Sequence, residues 1–472
     1  MDAARRDAVT AALRVAVGAA QVLCDGDLSS WEMDWRRRWR GRALAVVRPG
    51  TADEVAAVVR ACAAHAVAIV PQGGNTGLVG ASVPDGSGEQ VLLSLARLNR
   101  VRSVDADNLA LVAEAGCVLQ RVQEAADAAG LLFPLRLAAE GSCTIGGNLA
   151  TNAGGTQVLR YGNARALCLG LEVVTPAGDV WSSLSGLRKD NTGYDLRDLY
   201  IGSEGTLGVI TAATLALFPR PAAQTTALAA CATLDAAVAL LRLAHERLGA
   251  ALTGFEVMNA FALELVARHF PRLPRALAAA PWTVLLEQSD AEGEGHARAL
   301  FEGLLEHALG RGCVLDAAVA ASLAQSRAMW QLREAIPLAQ AEEGPNVKHD
   351  IALPVSAIAA FVAATDAALE RAFPGIRLVD FGHLGDGNLH YNVQAPEGCD
   401  AGGFLREHEA AVNRIVYDAV AAHGGSISAE HGIGALKRDE LVRHKPAVAL
   451  GLMRAIKRAL DPQGLMNPGR VL

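Results

Sequence analysis

From Ala43 onward the chain alternates short apolar runs with amphipathic stretches, a strand–helix–strand rhythm. Residues 43–48 are apolar and β-rich, and Pro49-Gly50 breaks the run. Thr51, with Glu54 three residues on, makes a capping box that opens a helix reaching Ala64. A second buried strand at 66–71 runs straight into Gly73-Gly74-Asn75-Thr76-Gly77, residues that tolerate positive φ and close backbone approach. Upstream, residues 1–23 read as an Ala-rich amphipathic helix interrupted by Arg5, Arg6, Asp7 and Arg14.

The composition changes around Phe218-Pro219-Arg220-Pro221, which marks a domain boundary. Beyond it the pattern predicts strands at 226–231, 252–258, 282–288, 347–351, 376–383 and 389–393. Helices fit 234–248, 292–309, 322–340, 355–371 and 404–422, with one more near 446–459. That order suits an α+β unit with helices on one face of an antiparallel sheet.

The last two strands flank Gly382-His383-Leu384-Gly385-Asp386-Gly387-Asn388-Leu389-His390-Tyr391-Asn392. Asp386-Gly387 suits the two positive-φ positions of a type I′ turn. A two-residue turn there pairs Gly385 with Asn388 and Leu384 with Leu389, and puts His383 opposite His390. Facing residues of that kind have Cβ atoms about 5 Å apart, near enough for two imidazoles to share a metal. A packed, hydrogen-bonded histidine pair satisfies the same pattern. Asn392, two residues past His390, points to the same face. A further ligand is on offer from Glu430, in Ser428-Ala429-Glu430-His431-Gly432-Ile433-Gly434.

Two more small-residue stretches follow the first Gly-rich loop. One is 141–155, made mostly of Gly, Ser, Thr, Asn and Ala; the other runs from Asn191 to Leu196 and on to Gly202–Ile210. Each alone is explained by a turn, and none is a Walker or dinucleotide fingerprint. Together, joined to strands within one block, they form a bed for a large phosphate-bearing cofactor. Trp35-Arg36-Arg37-Arg38-Trp39-Arg40 reads as a solvated or domain-edge segment.

At 472 residues the chain needs more than one core. A formal charge of −7 argues against a nucleic-acid partner. The eight cysteines include no C-x-x-C pair, which suits buried thiols in a reducing compartment. No signal peptide is visible and no apolar run is long enough to cross a membrane, so the expectation is a cytoplasmic protein.

Taken in order, the loops at 71–77, 144–155 and 202–210, the GHLGDGNLH hairpin, the SAEHGIG turn and the LDPQGLMNPGR tail resemble one family: the FAD-linked 2-hydroxyacid dehydrogenases of the vanillyl-alcohol-oxidase type, which act on D-lactate, glycolate or D-2-hydroxyglutarate. The resemblance covers nearly the whole chain from Ala43. It implies an α+β fold with a two-subdomain FAD-binding domain at 41–220 and a substrate (cap) domain with an antiparallel sheet at 221–423. An N-terminal helical segment at 1–40 and a C-terminal segment at 424–472, returning to the FAD domain, complete it. FAD would be held by Pro71, Gly73, Gly74, Asn75, Thr76 and Gly77, by Gly141, Ser142, Thr144, Gly147, Asn148, Thr151 and Asn152, and by Gly205, Gly208, Ile210 and Asn467. Asn75 stands where some relatives carry a flavin-linking His, so the FAD is expected to be noncovalent.

The resemblance further implies that His383, His390 and Glu430 bind zinc, or manganese or iron, with His431 as general base and hydride passing to flavin N5. Arg333 and Lys348 match positions that bind the distal carboxylate in the D-2-hydroxyglutarate branch, where His431 and Asn392 would also touch substrate. That branch has a Thr four residues after the arginine; here Pro337 takes its place. Oxidation of D-2-hydroxyglutarate to 2-oxoglutarate is therefore expected, with D-lactate or glycolate as the rival substrates. A non-redox flavin enzyme or a flavin-binding subunit comes behind these. An electron-transfer flavoprotein or a quinone is the expected acceptor, and a homodimer the expected assembly.

Overall fold

The computed structural model describes residues 1–472. The chain divides into two compact units, one of Met1–Gly154, Asn163–Arg220 and Glu430–Leu472, the other of Gly155–Gly162 and Pro221–Ala429. The N-terminal helix, Ala3–Val17, is part of the first unit rather than a separate segment. It packs on Ala52–Ala64 and buries Val9 and Leu13 completely. The C-terminal return begins at Glu430, later than the expected 424.

The first unit holds two main sheets. In one, Ala43–Val47, Gln90–Ser94 and Ile69–Gln72 lie parallel, with Val22–Leu23 antiparallel at the edge. Their near-continuous apolar runs follow from burial on both faces. Thr51 Oγ1 accepts from the Glu54 N–H at 3.1 Å, and Glu54 Oε2 reaches back to the Gly50 N–H at 2.6 Å, so the capping box fixes the first crossover. The other sheet is antiparallel, in the order Val101–Asp105, Ala110–Glu114, Val209–Ala216, Cys168–Val174, Val180–Ser183.

The second unit is built on an eight-stranded antiparallel sheet. Along it run Asp316–Val319, Ala223–Cys231, Trp282–Asp290, Leu252–Asn259, Arg377–Gly382 and Asn388–Gln394; the last of these pairs with both Asn346–Val347 and Asp350–Ala352. The strand expected at 347–351 is thus two short strands, interrupted at Lys348-His349. The helix expected at 322–340 is also two, Leu323–Glu334 and Ile336–Glu343. Pro337 has no N–H to give and sits in the first turn of the second helix, where none is needed. Asp316–Val319 is too short to stand out in the pattern.

The histidine hairpin differs from expectation in register. Phe381, not His383, pairs with His390, and the strands end at Gly382 and resume at Asn388. Only Gly387 of the Asp-Gly pair has positive φ, so no type I′ turn forms. Instead the His383 carbonyl accepts from the N–H groups of Asp386, Gly387 and Asn388, closing a five-residue loop. His383 thereby sits at the loop's entrance.

Gly382 makes that entrance, with φ at +152° and the Asn388 carbonyl 2.6 Å from where a Cβ would lie. Gly382→Ala is expected to destabilise the protein by about 2 kcal/mol through overpacking and strain. Urea unfolding reads the loss, and an unchanged midpoint would show that the loop does not depend on this glycine.

Candidate active site

In the first unit the three small-residue stretches meet around a cleft lined by residues from 71–77, 143–151 and 203–210. Gly73 and Gly74 are not at positive φ; they are small because the first two stretches press together. A Cβ on Gly73 would lie 2.4 Å from Thr144 Oγ1, and one on Gly74 2.1 Å from the Ser142 carbonyl. Asn75 does take φ +53°, its amide donating to the Met33 carbonyl at 2.8 Å and accepting from Ser82 Oγ at 3.0 Å. The stretch expected as a loop at 141–155 contains a short helix, Ile145–Ala150. Its Gly146 lies under Ala115, 2.7 Å from a would-be Cβ.

Pro71, Gly73, Gly74, Asn75, Thr76, Gly77, Thr144, Gly147, Asn148, Thr151, Gly205, Gly208 and Ile210 all line the cleft. Gly141, Ser142 and Asn152 do not. Ser142 supplies the carbonyl against Gly74, and Asn152 Oδ1 accepts from the Arg165 N–H. Asn467 Nδ2 donates to the Glu204 carbonyl at 2.7 Å and the Ala81 carbonyl at 3.0 Å, tying the C-terminal tail to two wall residues. Thr144 Oγ1, buried on the wall, has no hydrogen-bond partner in the protein.

In the second unit the His383 and His390 rings stand edge-to-face with centroids 5.7 Å apart. His383 reaches its neighbour from the loop rather than from a paired position. Glu256 immediately precedes Val257, the register partner of Gly382, on the neighbouring strand. Glu256 Oε1 meets His383 Nδ1 at 2.5 Å, while Arg333 Nε donates to Oε2 at 2.8 Å. Burial pushes the Glu256 carboxyl up, but His383 and Arg333 beside it outweigh that and hold it down at about 2. The bond to Glu256 engages the Nδ1 of His383.

Arg333 lies over the Phe381 ring at 4.6 Å, and Phe381 packs against His390 at 4.9 Å. Its two terminal nitrogens make no hydrogen bond within the protein. Lys348 is half-buried between the two short edge strands. Asp350, buried, is the register partner of His390.

Asn392 is buried on the sheet, where its Oδ1 accepts from the His349 N–H at 3.1 Å and its Nδ2 donates to Gln340 Oε1 at 3.1 Å. One of its two Nδ2 hydrogens is engaged in that way. Sequence reasoning overlooked Glu256, although a single acid in the apolar run Leu252–Asn259 is a signal, since acids are almost never fully buried unless paired.

Glu430 and His431 begin the first unit's last segment, one peptide bond after Ala429 of the second. The turn that follows is gripped by Glu204, whose Oε1 and Oε2 accept from the N–H groups of Ile433 and Gly434, each at 2.7 Å.

Residues 43–183 match the "FAD binding domain" family, and residues 220–471 match "FAD linked oxidases, C-terminal domain". The chain is 42% identical to the D-2-hydroxyglutarate dehydrogenase of Xanthomonas citri pv. viticola, over 94% of this chain and 92% of that one. It is 41% identical to the mitochondrial enzyme of that name from Rattus norvegicus, over 94% of this chain and 81% of the relative. The chain belongs to the FAD-linked D-2-hydroxyacid dehydrogenase family. Among solved structures, p-cresol methylhydroxylase covers all of the chain with a TM-score of 0.79, and 97% of that structure is matched. Alkyldihydroxyacetonephosphate synthase covers 98% with a TM-score of 0.71, and 84% of it is matched. At 16% identity each, these two establish the vanillyl-alcohol-oxidase-type fold alone.

The cleft fits the family's FAD: small-residue walls admit a phosphate-bearing ligand close to backbone, and Thr144 Oγ1 is an unused hydrogen-bonding atom on one wall. No helix of the chain is long and apolar enough to cross a membrane.

Glu256→Gln leaves Arg333 buried without its opposite charge, a change expected to cost about 3 kcal/mol. Urea unfolding followed by tryptophan fluorescence measures it, and a loss under about 1 kcal/mol, the range of an exposed pair, would show the contact to be solvent-screened.

Proposed function

We propose that the chain oxidises D-2-hydroxyglutarate to 2-oxoglutarate. The observation that carries this reading is the cluster around Glu256, which joins a histidine pair to a guanidinium with two nitrogens unclaimed by the protein. A 2-hydroxydicarboxylate has matching groups at its two ends, and Arg333 would fork onto its distal carboxylate, with Lys348 adding charge. His383 and His390, with Glu430 from the adjoining turn, would hold a divalent ion; His and carboxylate donors suit zinc, manganese or iron. Such an ion would orient the hydroxyacid and acidify its hydroxyl. His431 takes that hydroxyl proton as general base. The small-residue walls of the first unit's cleft would hold FAD noncovalently, and the flavin, through N5, would supply the acceptor for the substrate's C–H hydride.

Asn392 holds the His349 backbone through Oδ1, and its second Nδ2 hydrogen would bond the substrate carboxylate. An electron-transfer flavoprotein or a quinone then takes the electrons. The free cysteines, several of them buried, support a reducing compartment such as the cytoplasm, although the rat relative is mitochondrial.

D-lactate or glycolate dehydrogenation is the second reading. Pro337 favours it, because the branch's hydroxyl donor is missing beside the distal carboxylate.

Anaerobic titration of the flavin's visible band separates the two. D-2-hydroxyglutarate, its L isomer, D-lactate and glycolate are added singly, with and without prior chelation. Bleaching by D-2-hydroxyglutarate alone, abolished by chelator and restored by zinc, is the expected result. Bleaching by D-lactate instead would return Arg333 and Lys348 to structural roles, and no bleaching by any would end the dehydrogenase assignment for this chain.

Lys348→Ala is expected to lower kcat/KM for D-2-hydroxyglutarate about 10²-fold, the loss of a charge-assisted contact of some 2–3 kcal/mol. A change under threefold would count against the dicarboxylate.

A further inference from the structure

Glu204 is a buried acid in a Gly-rich loop, 7% exposed, where neither the cleft's composition nor its shape demands a charge. Its backbone takes φ +52°, a conformation that costs an L residue energy and persists when surroundings impose it. Four segments converge on it. Its N–H donates to the Ala150 carbonyl at the end of the Ile145–Ala150 helix, at 2.8 Å. Its carbonyl accepts from Asn467 Nδ2 in the tail. The next residue, Gly205, rests on the Pro71 ring, 3.1 Å from a would-be Cβ. Its carboxylate grips Ile433 and Gly434 with one oxygen each. Gly432 completes the fit, since a Cβ there would lie 2.7 Å from Glu204 Oε1.

We propose that Glu204 is a positioning residue, setting where the Glu430-His431 turn lies relative to the flavin cleft wall. The inference rests on the proposed role of His431 but concerns a residue that role does not include. The geometry is bidentate and short: one carboxylate spans two consecutive amides, so the turn can neither slide nor rotate without losing a bond. Beyond it the chain has other anchors. The Ala435 N–H donates to the Val79 carbonyl at 2.9 Å and the Val471 N–H to the Gly434 carbonyl at 3.0 Å. Loss of the carboxylate therefore removes two bonds from the turn that carries Glu430 and His431, and leaves those at Ala435 and Val471 in place. A misplacement of about 1 Å is enough to slow a positioned reaction about 10²-fold.

Glu204→Gln is the test, because the amide keeps the size but turns an NH2 toward an N–H. It is made in the full chain with FAD bound. Hydrogen exchange by mass spectrometry is read first. Faster exchange is expected in the peptide covering 430–436, with the wall peptides at 71–77 and 144–151 unchanged. Flavin content and reduction by dithionite should match the parent protein. The limiting rate of flavin reduction by D-2-hydroxyglutarate should fall about 10²-fold, with little change in the concentration giving half the limiting rate. Glu204→Asp, which keeps the charge but cannot span both amides, should show the same exchange pattern.

Unchanged exchange at 430–436 in both variants would overturn the proposal. So would loss of FAD or of folding in both, which would make Glu204 a structural residue. If the parent flavin is reduced by no 2-hydroxyacid, the assigned reaction fails, while the exchange data still decide whether Glu204 holds the turn.

Discussion

Taking a carboxylate wholly out of water is costly unless both oxygens meet donors and opposite charge. Glu256 satisfies that condition with one imidazole and one guanidinium, and the requirement shapes the second unit. The strand Leu252–Asn259 must lie beside the histidine loop, and the helix Leu323–Glu334 must end with Arg333 over Phe381. A fully buried acid also fixes the tautomer of His383 by occupying Nδ1. Groups thirty or more residues apart are thereby locked into one cluster by a side chain that need never touch a ligand.

The first unit solves a different problem in a related way. A cleft that brings a phosphate-bearing cofactor against backbone needs walls without side chains, and such walls have little apolar surface to hold them together. The structure supplies polar ties instead. Gly73 and Gly74 let two loops touch, Asn75 pins the first to Met33 and Ser82, and Asn467 ties the tail to Ala81 and Glu204. Lys457 adds another, donating to the Thr206 and Met466 carbonyls. Small residues make room, and hydrogen bonds donated by two asparagine amides and the Lys457 ammonium tie the walls together.

The fold alone does not specify the reaction. Structures named for p-cresol methylhydroxylase and for alkyldihydroxyacetonephosphate synthase share it at 16% identity. In this chain the second unit's sheet carries the buried polar cluster of Glu256, His383 and Arg333. Chemistry on a common scaffold is changed by grafting side chains while the packing is retained.

The sequence by itself determined the family and much of the order of elements, because strand and helix periods and a set of ordered motifs are local properties. The helix Leu234–Leu248 and the capping box at Thr51 were legible for the same reason. Contacts between distant segments decided the rest. Asp386-Gly387 is a strong local signal for a tight turn, yet the Gly385 N–H donates to the Phe255 carbonyl and a wider loop forms, shifting the histidine register by two residues. Asn392 also ties His349 and Gln340 to its strand, partners that no local pattern names. Glu256 and Glu204 carry no local mark beyond a charge among apolar or small neighbours. Their roles exist only once partners 77 to 230 residues away are brought to their oxygens, which no local pattern encodes.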